Sequence, residues 1–327
     1  MRKVVEAAGA AVLVLFSLSS CTTRGLAPLP GISPGAGASA VGVCTSGNCV
    51  SGVGFFSRPG VEVYGGDFSE GRYDGTGVLS WANGDRYTGA FAAGVIEGKG
   101  TLEWVNGDKY EGSFVGGRPH GQGTLNYADR SVYKGDWVDG RKSGRGVMTS
   151  PGGTHYVGGF LDGVYHGRGV RRIRKAESYE GDWANGVKNG QGTQKTKAGD
   201  VYEGGWVTNR RHGQGHLTTA DGRQDSGEFR DGVLDGQGKR SWLDGRVYVG
   251  EFAKDEFDGQ GLMTYAGGTT VEGAFVAGRV HGDATKIKPD GTVEVAKYFM
   301  GRRHGPSETT YPDGRVVKQR WYRGFER

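Results

Sequence analysis

From Tyr64 to its C-terminus the chain repeats a unit of 23 residues without insertion or deletion. The lead of each unit reads Tyr, any residue, Gly, any residue, Phe or Trp, as in Tyr87-Thr88-Gly89-Ala90-Phe91. The lead position recurs at Tyr64, Tyr87, Tyr110, Tyr133, Tyr156, Tyr179, Tyr202, Asp225, Tyr248, Val271, Glu294 and Val317. A fixed short period marks a repeat architecture, in which each unit packs only on its neighbours and the product is a surface rather than an enclosed pocket. Glycine supplies 65 of the 327 residues, nearly threefold the usual share of about 7%. The glycines do not fall at every third position and prolines number only 9, which excludes collagen. Aromatic residues held in register exclude a disordered linker.

The unit from Tyr87 to Lys109 shows what one repeat does. Tyr87, Gly89 and Phe91 alternate with Thr88, Ala90 and Ala92, a period of two and hence a strand. A turn is expected at Gly94 and a second strand at Thr101–Trp104, after Gly98 and Gly100. Asn106-Gly107 signals a tight hairpin turn with positive φ at both central positions, and the same pair type recurs at Asn83-Gly84, Asp221-Gly222, Asp244-Gly245, Asp290-Gly291 and Asp313-Gly314. Each repeat is therefore one β-hairpin in an all-β array. A glycine inside a strand implies close approach to the backbone, here predicted to be by a ring of the adjoining hairpin. Phe68, Phe91, Phe114, Trp137, Phe160, Trp183 and Trp206 then share a face, with Trp81, Trp104 and Tyr127 interleaved from the second strand. One layer cannot cover both of its faces, so Trp81, Trp104, Trp137, Trp183 and Trp206 are candidate contact residues.

These residues resemble the MORN repeat, whose unit approximates Tyr-Glu-Gly-x-Trp-x-x-Gly-x-x-x-Gly-x-Gly-x followed by an Asn/Asp-Gly turn. Tyr110-Glu111-Gly112 through His120-Gly121-Gln122-Gly123 and Tyr202-Glu203-Gly204-Gly205-Trp206 match closely. The resemblance spans residues 41–327 and implies an elongated, twisted, single-layer antiparallel sheet of about 23 strands, ~110 Å long. Departures from the pattern mark the places to look for function. Arg171 to Lys175 puts charge where other units carry Leu and Trp, Asp225 replaces the lead Tyr, Asn209 and Asp255 replace turn glycines, and the last units lose several glycines.

The N-terminus reads as an export signal. Arg2-Lys3 precedes an apolar run from Ala7 to Leu18, too short to span a bilayer comfortably but suited to a secretory leader at residues 1–20. Leu18-Ser19-Ser20-Cys21 resembles the lipobox of bacterial lipoproteins. That resemblance implies that Cys21 becomes the lipidated mature N-terminus, anchored to a membrane by its acyl chains. Residues 21–40, rich in Gly, Ala, Ser and Pro, read as a flexible linker. Thr22 in place of Asp favours the outer over the inner membrane, by resemblance to enteric lipoproteins. Cys44 and Cys49 form an even pair suited to a disulfide in an oxidising compartment. A metal site is the alternative, but no His lies nearby in sequence.

A formal charge of +5 over such a length supplies no concentrated basic stripe and gives nucleic-acid binding no support. The cluster Arg171, Arg172, Arg174, Lys175 is the strongest local exception and a candidate binding site. His120, His166, His212, His281 and His304 share one repeat slot, held elsewhere by Asp74, Glu97, Asp235 and Asp258. At one per hairpin they read as polar turn residues rather than metal ligands. No nucleophile–base pair and no cofactor motif can be assembled. The expected function is a non-enzymatic envelope lipoprotein presenting a scaffold to a protein or an envelope polymer. Binding to anionic phospholipid through the basic clusters is the alternative, with an envelope hydrolase behind it.

Overall fold

The computed structural model describes residues 42–326; the leader at residues 1–20, Cys21 and the linker at residues 21–40 lie outside the described residues. All the strands join one sheet of 26 strands. It opens with β1 (Val43–Gly47), β2 (Gly52–Arg58), β3 (Glu62–Ser69) and β4 (Arg72–Trp81) and continues as an antiparallel meander, each strand pairing with its neighbours in sequence. The sheet exceeds the expected strand number because β1, β2 and the short Phe325–Glu326 strand extend it at its ends. Cys44 and Cys49 are disulfide-bonded within the first of these extensions.

The hairpins differ from expectation in their turns. The tight two-residue loop with positive φ at both positions is Ala93-Gly94 (φ 51° and 88°) and its equivalents, such as Glu70-Gly71 (φ 53° and 72°). The Asn-Gly pairs sit at the other end of the sheet. There Gly84 (φ 95°) closes a turn in which its N–H donates to the Trp81 carbonyl and the Trp81 N–H to the Asp85 carbonyl. Asn83 keeps an ordinary negative φ and uses its side chain instead, accepting from the Asp85 N–H at 3.0 Å. This is a three-residue loop with glycine at its last position, not the two-residue hairpin that Asn-Gly suggests by itself. Asp85 Oδ1 in turn accepts from the Val105 N–H of the next unit at 2.9 Å, and Asp108 does the same for Ala128 at 2.8 Å. The loop residues thus tie successive hairpins together.

The second strand of the unit runs Val95–Glu103, so Gly98 and Gly100 lie inside it rather than before it. The pairing shifts there: Gly89 faces Gly100 and Phe91 faces Ile96, so between these pairs one residue on one strand, Ala90, opposes three on the other. Such a bulge bends the strand pair, and it recurs at the same height in the hairpins led by Tyr64, Tyr110 and Tyr156. The bend folds the two arms of the sheet toward one face. That explains how Tyr64, Tyr87, Tyr110 and Tyr133 reach 0% exposure in a protein with no second layer.

Glycines pair across the strands in one continuous row. Gly54, Gly66, Gly77, Gly89 and Gly100 stand opposite one another in turn, and the row runs on to Gly261 and Gly273. A Cβ on Gly66 would lie 2.5 Å from Gly77 Cα and 2.6 Å from Tyr64 Oη. The approaching ring therefore comes from the glycine's own hairpin, not from the adjoining one. Each lead tyrosine lies over the glycines of its two strands, and its hydroxyl donates to the carbonyl freed by the bulge: Tyr87 to Ala90 at 3.0 Å, Tyr110 to Ser113 at 3.0 Å, Tyr156 to Gly159 at 2.9 Å. Beyond Gly273 the row becomes Ala284, Ala296 and Ser307, where the lead residues are Val271, Glu294 and Val317. There small side chains replace glycine in units that lack the ring, although the unit led by Asp225 keeps Gly227 and Gly238.

Candidate binding face

The aromatic face is built from four positions in each unit. The lead Tyr meets the Phe or Trp of its own hairpin edge-on and that of the next, as Tyr87 does with Phe91 at 5.2 Å and Phe114 at 5.1 Å. A residue nine positions after the lead then covers the tyrosine ring. In three units it is another ring, stacked at 3.7–3.9 Å: Tyr73 on Tyr64, Tyr165 on Tyr156 and Phe257 on Tyr248. In Ile96 and Pro119 it is aliphatic, and in Lys142, Lys188 and Arg211 it is a cation. The residue fifteen positions after the lead lies beside the tyrosines: Leu79, Leu102 and Leu125 early in the array, then Arg171, Gln194 and Arg240.

The candidate tryptophans are packed into this face rather than presented by it. Trp81, Trp104, Trp137, Trp183 and Trp206 are all less than a tenth exposed. Trp137, Trp183 and Trp206 spend their indole N–H on the carbonyls of Gly123, Gly169 and Gly192 at 3.0–3.3 Å. The bend that closes the sheet over its own aromatic face covers them.

The basic cluster is divided by strand alternation. Arg171 points into the aromatic face, opposite Tyr156 and Tyr179, and pairs with Glu177 at 3.6 Å. Its neighbour Arg172 is exposed on the opposite side, and Arg174 and Lys175 are exposed in the following turn. Some residues of the histidine slot bond the backbone of the next hairpin. Asp74 and Glu97 in that slot accept from backbone N–H groups nineteen residues on, at Ala93 and Gly116 (both 3.0 Å), and His281 Nδ1 faces Met300 N–H in the same way at 3.5 Å.

Sequence reading missed the inward cations. Lys188 is only 7% exposed, with its ammonium over the rings of Tyr179 (5.2 Å) and Trp206 (4.7 Å). Burial pulls its pKa down to about 8, with Arg171 and Arg211 adding to the shift and Glu177 opposing it. Arg211 lies over Tyr202 at 5.0 Å, and desolvation lowers its pKa too. Farther along, charges replace the ring–leucine pair outright. Asp225 stands at a lead position and Arg240 at a leucine position, joined by two hydrogen bonds of 2.7 and 3.0 Å. Glu294, also at a lead position, pairs instead with Arg303, the residue nine positions on. The register would have revealed these cations, had every inward position been aligned and not only the lead.

No curated protein sequence is significantly similar to the chain. Among solved structures, the G-box domain of the microcephaly protein CPAP is 14% identical, covering 69% of this chain and 100% of that one, with a TM-score of 0.26. The TCP10 domain of Danio rerio CPAP in complex with a peptide of Danio rerio STIL is also 14% identical, covering 76% of this chain and 96% of that one at a TM-score of 0.22. A streptogramin B lyase is 11% identical, covering 83% and 80% at a TM-score of 0.12. Similarity this low carries no functional argument. The MORN repeat model, in contrast, matches nine successive segments, from residues 64–86 to residues 248–270. With more than half of its length matched, in the phase that the tyrosines and glycines set, the chain belongs to the MORN-repeat family.

Proposed function

We propose that this protein is a non-enzymatic cell-envelope lipoprotein that holds its MORN sheet off a membrane as a scaffold for a partner. The observation that carries the reading is the order of parts along the chain. A lipobox ending at Cys21 and a linker of small residues precede one long sheet built of repeated hairpins. The Cys44–Cys49 bond suits an oxidising compartment such as the periplasm. Lipid on Cys21 tethers the sheet, and the outer membrane is the favoured site of attachment.

The partner is a protein or an envelope polymer. Anionic phospholipid is the weaker reading, because Arg171 turns away from Arg172, Arg174 and Lys175 and the four do not form one patch. Labelling cells with radioactive palmitate tests the anchor: the chain takes up label and the Cys21→Ser variant does not. Crosslinking in intact cells followed by mass spectrometry tests the scaffold. Recovery of no reproducible partner would count against it.

A further inference from the structure

Four of the cations on the aromatic face fall into two groups. Arg240 and Arg303 come with their own carboxylates, Asp225 and Glu294, held at 2.5–3.0 Å. Lys188 and Arg211 come with none: among the described residues, no carboxylate lies within ion-pair distance of either head group. The nearest acid to Lys188, Glu177, is engaged by Arg171 at 3.6 Å and by Gln194 Nε2 at 3.3 Å. Asp200, near Arg211, accepts from the Ala220 N–H at 2.9 Å. Burying a charge without a counter-charge is costly, and the neighbouring units show that this fold supplies the counter-charge when the cation serves only packing.

The same stretch also carries smaller residues at one repeat position. Seventeen positions after the lead, the flanking units carry Trp81, Trp104 and Tyr127 on one side and Trp242 and Tyr265 on the other. Between them stand Ser150, Ile173, Thr196 and Thr219. Four consecutive units therefore lack the large ring that walls the groove elsewhere, a gap of roughly 40 Å at about 10 Å per hairpin. Arg171, Lys188 and Arg211 line its floor.

We propose that this gap is the seat of an acidic peptide segment of a partner protein, whose carboxylates meet Arg171, Lys188 and Arg211 while its apolar side chains replace the missing rings. Three features favour a peptide over other anions. The cations are spread over consecutive hairpins, so one small anion would leave some of them unmatched. Lys188 is nearly covered, so a broad bilayer surface cannot reach it whereas a side chain on a narrow stem can. The gap is bounded at its ends by the partly buried rings of Tyr127 and Trp242 with cations between them, a pattern that suits an amphipathic segment. The inference rests on the scaffold reading but not on the lipid anchor.

The test uses the full chain purified in a neutral detergent and a fluorescein-labelled ten-residue peptide alternating Glu with Leu, titrated by fluorescence anisotropy. Saturable binding is expected, abolished when every Glu is replaced by Gln. Lys188→Leu, which installs the residue found at the equivalent Leu234, should weaken binding at least tenfold. The double variant Glu294→Val with Arg303→Leu removes an inward charge pair far from the gap and should leave affinity within twofold. Unchanged affinity in Lys188→Leu would overturn the proposal, as would equal binding of the Gln peptide. Displacement of the peptide by micromolar inorganic phosphate, or by phosphatidylglycerol mixed into the micelles, would also overturn it, in favour of a simple anion or lipid site. Partner recovery by crosslinking is read separately, so failure here alone leaves the scaffold reading standing.

Discussion

Asn209 holds Lys188 at both ends of its backbone: the Asn209 N–H donates to the Lys188 carbonyl at 3.0 Å, and Asn209 Oδ1 accepts from the Lys188 N–H at 2.9 Å. In most units the turn glycine makes only the first bond, as Gly94 does with Tyr73. Asp255 adds the second for Leu234 at 3.0 Å. The two departures from the turn glycine are thus clamps on the residues that cover the tyrosine row. Asn209 has φ 66°, a region Asn tolerates better than most side chains. Asn209→Ala combines an unfavourable φ with an unpaired amide and should cost about 1–3 kcal/mol. Asn209→Gly should cost less. Urea denaturation midpoints of the two variants check the order.

Tolerance of alanine along the glycine row should depend on the ring above it. A Cβ on Gly215 would sit 2.6 Å from Tyr202 Cζ, whereas at Gly238, where Asp225 has removed the ring, the nearest atom is Ser226 O at 3.1 Å. Gly215→Ala should lower stability by about 1–3 kcal/mol, the usual cost of overpacking, and Gly238→Ala by clearly less. Thermal melts of both proteins measure the difference.

Alkaline pH acts on Lys188 and on the tyrosines with opposite signs. The folded pKa of Lys188, about 8, lies below its ordinary 10.5. The unfolded chain therefore binds more protons between those values, and stability rises with pH across that window. The charged groups facing Lys188 are Arg171, Arg211 and Glu177. Tyr87 and Tyr202 run the other way: burial pushes both up to about 12 from an ordinary 10.0, and Tyr110 and Tyr133 are raised still further. Their contribution is complete below pH 10 and falls above it, by up to about 1.4 kcal/mol per tyrosine per pH unit. The wild type should gain stability from pH 8 to about 10 and then unfold steeply, while Lys188→Leu loses the gain and keeps the collapse. Denaturant titrations at stepped pH values report both limbs.

The Asp225–Arg240 exchange predicts asymmetric mutant effects. Removing Arg240, as in Arg240→Leu, leaves a carboxylate that is 1% exposed with only Arg223 beside it at 3.2 Å and should cost about 3 kcal/mol. Replacing both, Asp225→Tyr with Arg240→Leu, should be neutral or stabilising. A double-mutant cycle on unfolding midpoints separates the two.

The sequence makes the hairpin, its period and the aromatic row legible because those depend on local alternation and on glycine placement. The turn geometry escapes it. Asn-Gly is a strong local signal for a two-residue loop, but pairing fixes the loop lengths, and Ala93-Gly94 takes the tight one. The owner of the ring above each glycine also escapes, since Tyr64 and the next hairpin's rings are equally near in sequence terms. Tryptophan exposure is a third case: a single layer suggests open rings, and only the repeated bulge reveals that the sheet folds over them. The inward cations were in plain sight at Lys188 and Arg211, one column away from the tyrosines.

The ties between hairpins reach one unit and no farther: Asp85 to Val105, Asp74 to Ala93, Asn209 to Lys188. Among the described residues, the main contacts along the array join strands adjacent in sequence, not distant hairpins as in a globular core. Mechanically the molecule is a zipper. A tooth in the middle is gripped from both sides, whereas the first and last are gripped from one, so loss of structure begins at the ends and advances one 23-residue step at a time. The Cys44–Cys49 bond stands at one of those ends, where a stop on a zipper belongs.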